Sequence, residues 1–343
     1  MELSKSDTAC IKGIAILFML GHHLFLNTTK YGALTLWLAV VFKVCVALFL
    51  FVSGYGMTKQ YGSLERRNIR STMKMLLRRF INFFLPYWFC FVLVVVIGHL
   101  WGITFQDVYP ATRNTVKCAV LDFFGQMGYH SYLKPWWFNK MILQLYLVFP
   151  FLYLIIRNKY SALVGFMAVI PLQLFAKSIP GNAFFLVEGG IPAFYLGMLT
   201  AQHGIIPSIP QKSWRIVLAS VTVLLLIGLA LLHNHVLPSS PYQAILIRAL
   251  MAFLIVLAFK FIDSRHVSVL SFLGRYSTIM YLTHVLLLFM IPKILFFPRY
   301  SFLALLVFSI ASLLMAMSIE WLQKVLRYDK LRLALVTFVK NNL

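Results

Sequence analysis

Lys12 and His23 stand eleven residues apart in KGIAILFMLGHHLF, Lys12 to Phe25, an otherwise apolar run. An imidazole in hydrocarbon is costly unless it has a partner or a task. At about 100° per residue the interval is three helical turns plus roughly 20°, so a helix carries both side chains on one face, about 16 Å apart. His22 points well away from that face. One stripe then joins a cation near the inner surface to a base that titrates near neutrality, a pairing suited to general-base chemistry. A structural reading is equally available: Lys12 snorkels to the surface and His23 hydrogen-bonds a neighbouring helix.

Other polar residues interrupt apolar segments at a similar depth. His284 lies in LGRYSTIMYLTHVLLL, Arg248 in QAILIRALMAF and Glu188 at the start of VEGGIPAFYLGM. Ionisable groups so placed face a cavity or each other, and an Arg248–Glu188 ion pair would satisfy that rule as well as a binding role would. Lys43 and Lys140 also lie within or beside apolar runs. Ser53-Gly54, in FLFVSGYGM, has no acid partner adjacent for a nucleophile. A small pair that lets a ligand or another helix approach the backbone is the better reading. The adjacent histidines do not have the i, i+4 spacing of a metal site, and no phosphate-cradling glycine loop is present.

These residues must be held by membrane helices. The 343-residue chain is 61% hydrophobic and only 12% charged, about half the charged fraction of a soluble domain. Apolar runs long enough to cross about 30 Å of hydrocarbon recur throughout. Ten spans can be drawn, at 8–27, 34–57, 80–101, 136–156, 161–176, 188–203, 214–232, 242–260, 269–290 and 301–322. The expectation is an all-α polytopic transmembrane helical bundle forming one domain over 1–343, with a retained first helix rather than a signal peptide.

The net charge is +22, but the cations fall in short loops, so topology explains them better than nucleic acid does. Most lie on one face, in the loop 58–79 and the tail beyond 322 above all. That face is read as cytoplasmic, with both termini inside and the protein in the cell (plasma) membrane. The longest outer loop, about 102–135, ends in an aromatic cluster suited to the bilayer interface, with room for an amphipathic piece. Cys10, Cys45, Cys90 and Cys118 show no disulfide or CxxC pattern.

The blocks KGIAILFMLGHH, LFLFVSGYGM, RRFINFFLPYW, WWFNKMILQLYLVFP, IPAFYLGMLTA and LGRYSTIMYLTH occur in this order. Together they resemble the acyltransferase-3 family of integral-membrane O-acyltransferases, which acetylate bacterial surface sugars. The resemblance implies that His23 is the catalytic base and that Lys12, where the family carries arginine, helps hold an acyl-CoA. Lysine keeps the charge and loses the bidentate fork toward phosphate. The family's basic pair entering the third helix falls on Arg79 and Asn82, with Arg78 as a substitute for the second cation.

The resemblance thus implies transfer of an acetyl group from cytoplasmic acetyl-CoA to a hydroxyl of a surface or lipid-linked carbohydrate, without a metal. Lys12, Arg78, Arg79 and Ser53 are the donor-site candidates. His23 and, in second rank, His284 are the catalytic ones, and Glu188 and Arg248 would meet the acceptor. Arg248 and the Ser53 hydroxyl are candidates for stabilising the oxyanion. Two other classes are weighed against this. One is a transporter using the same buried charges at broken helices, favoured by SIPGNAFFLVEGGIP. The other is a non-catalytic partner of a polysaccharide machine.

Overall fold

A computed structural model describes residues 2–26, 30–110, 113–177, 190–206, 212–236, 241–261, 267–296 and 299–342. Among them no strand occurs. In chain order the helices are α1 (Lys5–Leu26), α2 (Ala33–Phe42), α3 (Val44–Gly62), α4 (Ile69–Leu100), α5 (Phe105–Val108), α6 (Thr115–Phe123), α7 (Trp137–Ile156) and α8 (Lys159–Lys177). They continue as α9 (Gly190–His203), α10 (Lys212–Val236), α11 (Pro241–Phe261), α12 (Ser268–Met290), α13 (Pro292–Leu295), α14 (Ser301–Val325) and α15 (Tyr328–Asn342). Helices are the expected solution because lipid offers the backbone no hydrogen bonds.

The described residues contain eight helical segments long and apolar enough to cross a membrane, so the chain is an all-α polytopic bundle. The segments read from sequence at 161–176 and 188–203 are helical where described, as α8 and as the 14-residue α9. Three boundaries differ from the sequence reading for physical reasons. The second span is two helices, because the bonds Lys43 N–H to Val40 O (3.3 Å) and Val46 N–H to Lys43 O (3.3 Å) tighten the backbone at Lys43 into an i, i+3 turn. The basic stretch before Phe80 is not loop but the first turns of α4. Asn68 caps it by accepting from Ser71 N–H while the Ser71 hydroxyl accepts from Asn68 N–H, and Met75 and Leu76 are buried. The tail after 322 likewise forms the rest of α14 and all of α15.

The chain forms two compact units: residues 1–64 with 148–277, and residues 65–147 with 278–343. In the first, α3 and α9 pack most extensively. A Cβ built on Gly54 would lie 2.1 Å from the Phe194 carbonyl oxygen, and one on Gly197 would lie 2.0 Å from the Phe51 carbonyl oxygen. The two helices therefore cross backbone to backbone, which only glycine permits. α1 and α12 repeat the device, since Gly13 faces Leu270 O at 2.0 Å and Gly274 faces Ala9 O at 1.8 Å by the same construction. At the start of α1, Ser4 and Asp7 form a reciprocal cap, and the buried Asp7 carboxylate also accepts from Lys260 Nζ at 2.6 Å.

In the second unit, the long loop between α4 and α7 is organised by Asp122, which is 0% exposed. Its carboxylate accepts from the Tyr109 hydroxyl at 3.0 Å and from Tyr132 N–H. The Tyr87 hydroxyl of α4 donates to the Asp122 backbone carbonyl, so loop and span are tied together. Tyr281 closes the same region by donating to Pro135 O (2.9 Å) and Asn139 Oδ1 (3.0 Å), and Trp136 Nε1 donates to Leu282 O (3.0 Å). The helix α6 is the amphipathic piece of this loop: Cys118 and Asp122 face inward, and Val116, Val120 and Phe124 are exposed.

Two outcomes follow. Gly54→Ala and Gly197→Ala each force α3 from α9 and should lower stability by about 1–3 kcal/mol. Gly228→Ala, at a helical position with open space, should be neutral or stabilising by up to about 1 kcal/mol. Thermal melting of the purified protein distinguishes these. Second, burial pushes the Asp122 carboxyl up to about 6, above the ordinary value of about 3.9. Between those pH values the folded protein keeps a proton that the unfolded chain releases. Stability therefore falls as pH rises through the window, by about 3 kcal/mol in total. Asp122→Asn should flatten the slope of melting temperature between about pH 4 and pH 6; an unchanged slope would mean another group is responsible.

Candidate functional site

In the first unit a network of polar side chains joins α1, α2, α10 and α11 in the half of the bundle read as outer. Arg248 of α11 is 4% exposed. Its Nε–H donates to His233 Nε2 of α10 at 2.9 Å. An arginine can only donate, so His233 Nε2 is the acceptor and the proton of the neutral ring is on Nδ1. Nδ1 lies 3.2 Å from the Asn234 side-chain oxygen, and the Asn234 amide donates to the Trp37 carbonyl of α2 at 3.3 Å. Lys43, at the joint between α2 and α3, lies within electrostatic reach of His233.

α1 enters the same region. It runs unbroken from Lys5 to Leu26 and so carries both Lys12 and His23. Lys12 is exposed, whereas His22 and His23 are half-buried. His22 Nδ1 is 2.6 Å from the Ala39 carbonyl of α2 and must donate there. The His22 and His23 rings meet edge to face with centroids 4.9 Å apart. Phe18 stacks on Phe42 at 4.8 Å, which holds α1 against α2 just before the Lys43 joint. His22, the ring that points away from the Lys12–His23 stripe, therefore orients the helix and flanks the ring that lies on it.

The remaining candidates lie elsewhere. Ser53 is half-buried on α3 beside Gly54, hence beside the α3–α9 crossing. Arg78 and Arg79 are half-buried on α4, in the second unit. Asn82, where the resemblance would have a second cation, is exposed and donates its amide to the Arg78 carbonyl at 2.8 Å. His284, also in the second unit, is fully buried. Its Nδ1 donates to the Tyr281 carbonyl at 2.8 Å, and its ring lies 6.4 Å from Phe308. Glu188 falls outside the described residues.

Sequence reasoning missed His233 and Asn234. The seventh span was drawn to residue 232, one residue short of them, while α10 continues to Val236. The signal was present in HNH, 233–235, three polar residues that close an apolar run and would each need a partner.

The comparisons with known proteins bear on the chemistry. A family model described as an acyltransferase domain matches residues 9–321, a range that takes in both units. Comparison with curated proteins returns no match, and neither does comparison with solved structures. A match over most of the chain selects acyl transfer over transport or scaffolding, and an acyl transferase uses an acyl donor and an acceptor. The chain is a multi-pass membrane acyltransferase and belongs to the acyltransferase-3 family.

Proposed function

We propose that the protein moves an acetyl group from cytoplasmic acetyl-CoA to a hydroxyl of a surface or lipid-linked carbohydrate, in the cell membrane, with His23 as general base. The observation that carries this reading is the construction of α1. One unbroken helix has an exposed cation, Lys12, at one end and, on the same stripe about 16 Å further on, a half-buried imidazole. That imidazole is flanked by His22, itself anchored to the Ala39 carbonyl.

In this scheme His23 removes the proton of the acceptor hydroxyl as its oxygen attacks the thioester carbonyl carbon. The carbon–sulfur bond then breaks, and CoA leaves as the thiol once the proton passes from His23 to sulfur. A base so placed contributes about 10²–10⁴-fold. Lys12 binds a donor phosphate by a charge-assisted hydrogen bond, and Arg78 and Arg79 keep the donor-phosphate role that the family resemblance implies. Arg248 is the candidate for the oxyanion or the acceptor. Its Nε–H is held by His233 Nε2, which orients the guanidinium. Ser53, beside the α3–α9 crossing, is kept as a donor-side hydroxyl, Glu188 as an acceptor-side group and His284 as a positioning residue.

The purified protein should release free thiol from acetyl-CoA, slowly alone and faster with a carbohydrate acceptor. His23→Ala should lower the rate by at least about 100-fold with membrane abundance unchanged; persistence of acetyl transfer in that variant rejects the mechanism. Lys12→Ala should raise the KM for the donor about tenfold or more with little change in kcat. Lys12→Arg should keep or improve donor binding, because it restores the two-pronged contact with phosphate. A fall in kcat alone for Lys12→Ala would place Lys12 at the reacting atoms instead. Mass analysis of surface glycans from cells with and without the gene identifies the acceptor.

A further inference from the structure

The helix α15 begins seven residues beyond residue 321, where the family match ends, and no step of the proposed reaction uses it. It follows α14 through Arg327, whose φ of 56° turns the chain sharply between the two helices. One side of α15 is packed on α4: the Tyr328 hydroxyl donates to Leu85 O at 3.0 Å, the Tyr328 ring lies 5.1 Å from Phe89, and Val339 is buried. Further along, Lys74 Nζ donates to Lys340 O at 3.4 Å. α15 therefore runs antiparallel to the first half of α4, next to the end of a membrane span.

A second side of α15 is apolar and uncovered. Leu331, Leu335 and Phe338 follow at i, i+4 and i+7, one helical stripe, and are 47%, 37% and 61% exposed. Lys330 and Arg332 are exposed on the two flanks, Lys340 is exposed on the side opposite the stripe together with Leu333, which is 68% exposed, and Lys324 and Arg327 are exposed in the preceding turn. Asp329 is the single acidic residue of the helix. The start of α4 repeats the composition: Ile69 and Met73 are exposed, among the exposed Arg66, Arg67 and Arg70. An apolar stripe edged by lysine and arginine, at the foot of a membrane span, matches a surface that is hydrocarbon below and negatively charged above.

We propose that α15 lies in the inner leaflet interface, with Leu331, Leu335 and Phe338 among acyl chains and Lys330 and Arg332 on anionic phospholipid headgroups. The helix is thereby a sensor of leaflet charge fastened to α4. A soluble helix would not leave such a stripe in water, and a neutral membrane would not select the cationic flanks. The inference is independent of the acetyl-transfer reading.

The test uses the full-length protein. The four native cysteines are all buried, so nitroxide labels can be placed singly through Leu335→Cys, Phe338→Cys and Thr337→Cys, and gel filtration selects folded protein. In vesicles containing phosphatidylglycerol, labels at 335 and 338 should be accessible to oxygen and protected from a water-soluble nickel chelate. The label at 337, off the stripe, should show the reverse. In phosphatidylcholine alone, or with Lys330 and Arg332 both changed to Gln, the contrast should fall by half or more.

In parallel, the unmodified protein should resist trypsin at Lys330 and Arg332 in the anionic vesicles and be cut in the neutral ones. Equal nickel access at 335, 337 and 338 would overturn the proposal. So would equal contrast and equal trypsin cutting in the two lipids. Protection from both reagents in native membranes, combined with nickel access in vesicles, would mean that a protein partner covers the stripe and would also overturn it.

Discussion

An arginine within a membrane-spanning helix has to be solvated by the protein itself, because hydrocarbon offers neither water nor counter-ion. Arg248 meets that constraint through His233, and the consequence travels. His233 must accept from Arg248, which sets its tautomer, directs Nδ1 to Asn234 and passes the connection to the Trp37 carbonyl. Three helices are thus held at one level by hydrogen bonds, and His22 adds the fourth through the Ala39 carbonyl. In lipid, where apolar contact between helices is no better than contact with acyl chains, such polar ties decide which helices are neighbours.

Close backbone packing supplies the other part of the first unit's cohesion. The paired glycines of α3 and α9, and of α1 and α12, let carbonyl oxygens approach where a methyl group would stand. Contacts of that kind gain dispersion over a long stretch of backbone and resist sliding, since each glycine fits only opposite its own carbonyl. Their location has a functional side. One crossing lies next to Lys12 and the other next to Ser53, so the regions proposed to meet the acyl donor are built on close backbone-to-backbone contacts.

The second unit uses a different device. Its long loop between α4 and α7 is held not by apolar burial alone but by one enclosed carboxylate, Asp122, with tyrosines arriving from the loop and from α4. A buried acid satisfied by neutral hydroxyl and amide donors is stable without a cation, at the expense of a raised proton affinity. That arrangement uses tyrosine for both of its properties, an apolar ring that packs and a hydroxyl that donates.

Much of this was legible in the order of residues. Segment length and hydropathy determine a helical membrane protein, since lipid leaves the backbone few alternatives. The eleven-residue interval places Lys12 and His23 on one face, because a continuous α-helix has a fixed period. The ordered blocks are similar enough to the acyltransferase-3 family to indicate acyl transfer. What the linear chain did not carry is lateral position. No periodicity states that Arg248 meets His233 rather than another span's polar residue, or that Asp122 rather than Asp107 becomes the enclosed carboxylate. Nor does it state that the chain yields at Lys43 within one apolar run, or that the tail doubles back along α4. Those outcomes depend on which helix faces are brought into contact, and a hydrogen-bond partner 197 residues away, as Trp37 is from Asn234, is chosen by packing in three dimensions and by nothing local to either residue.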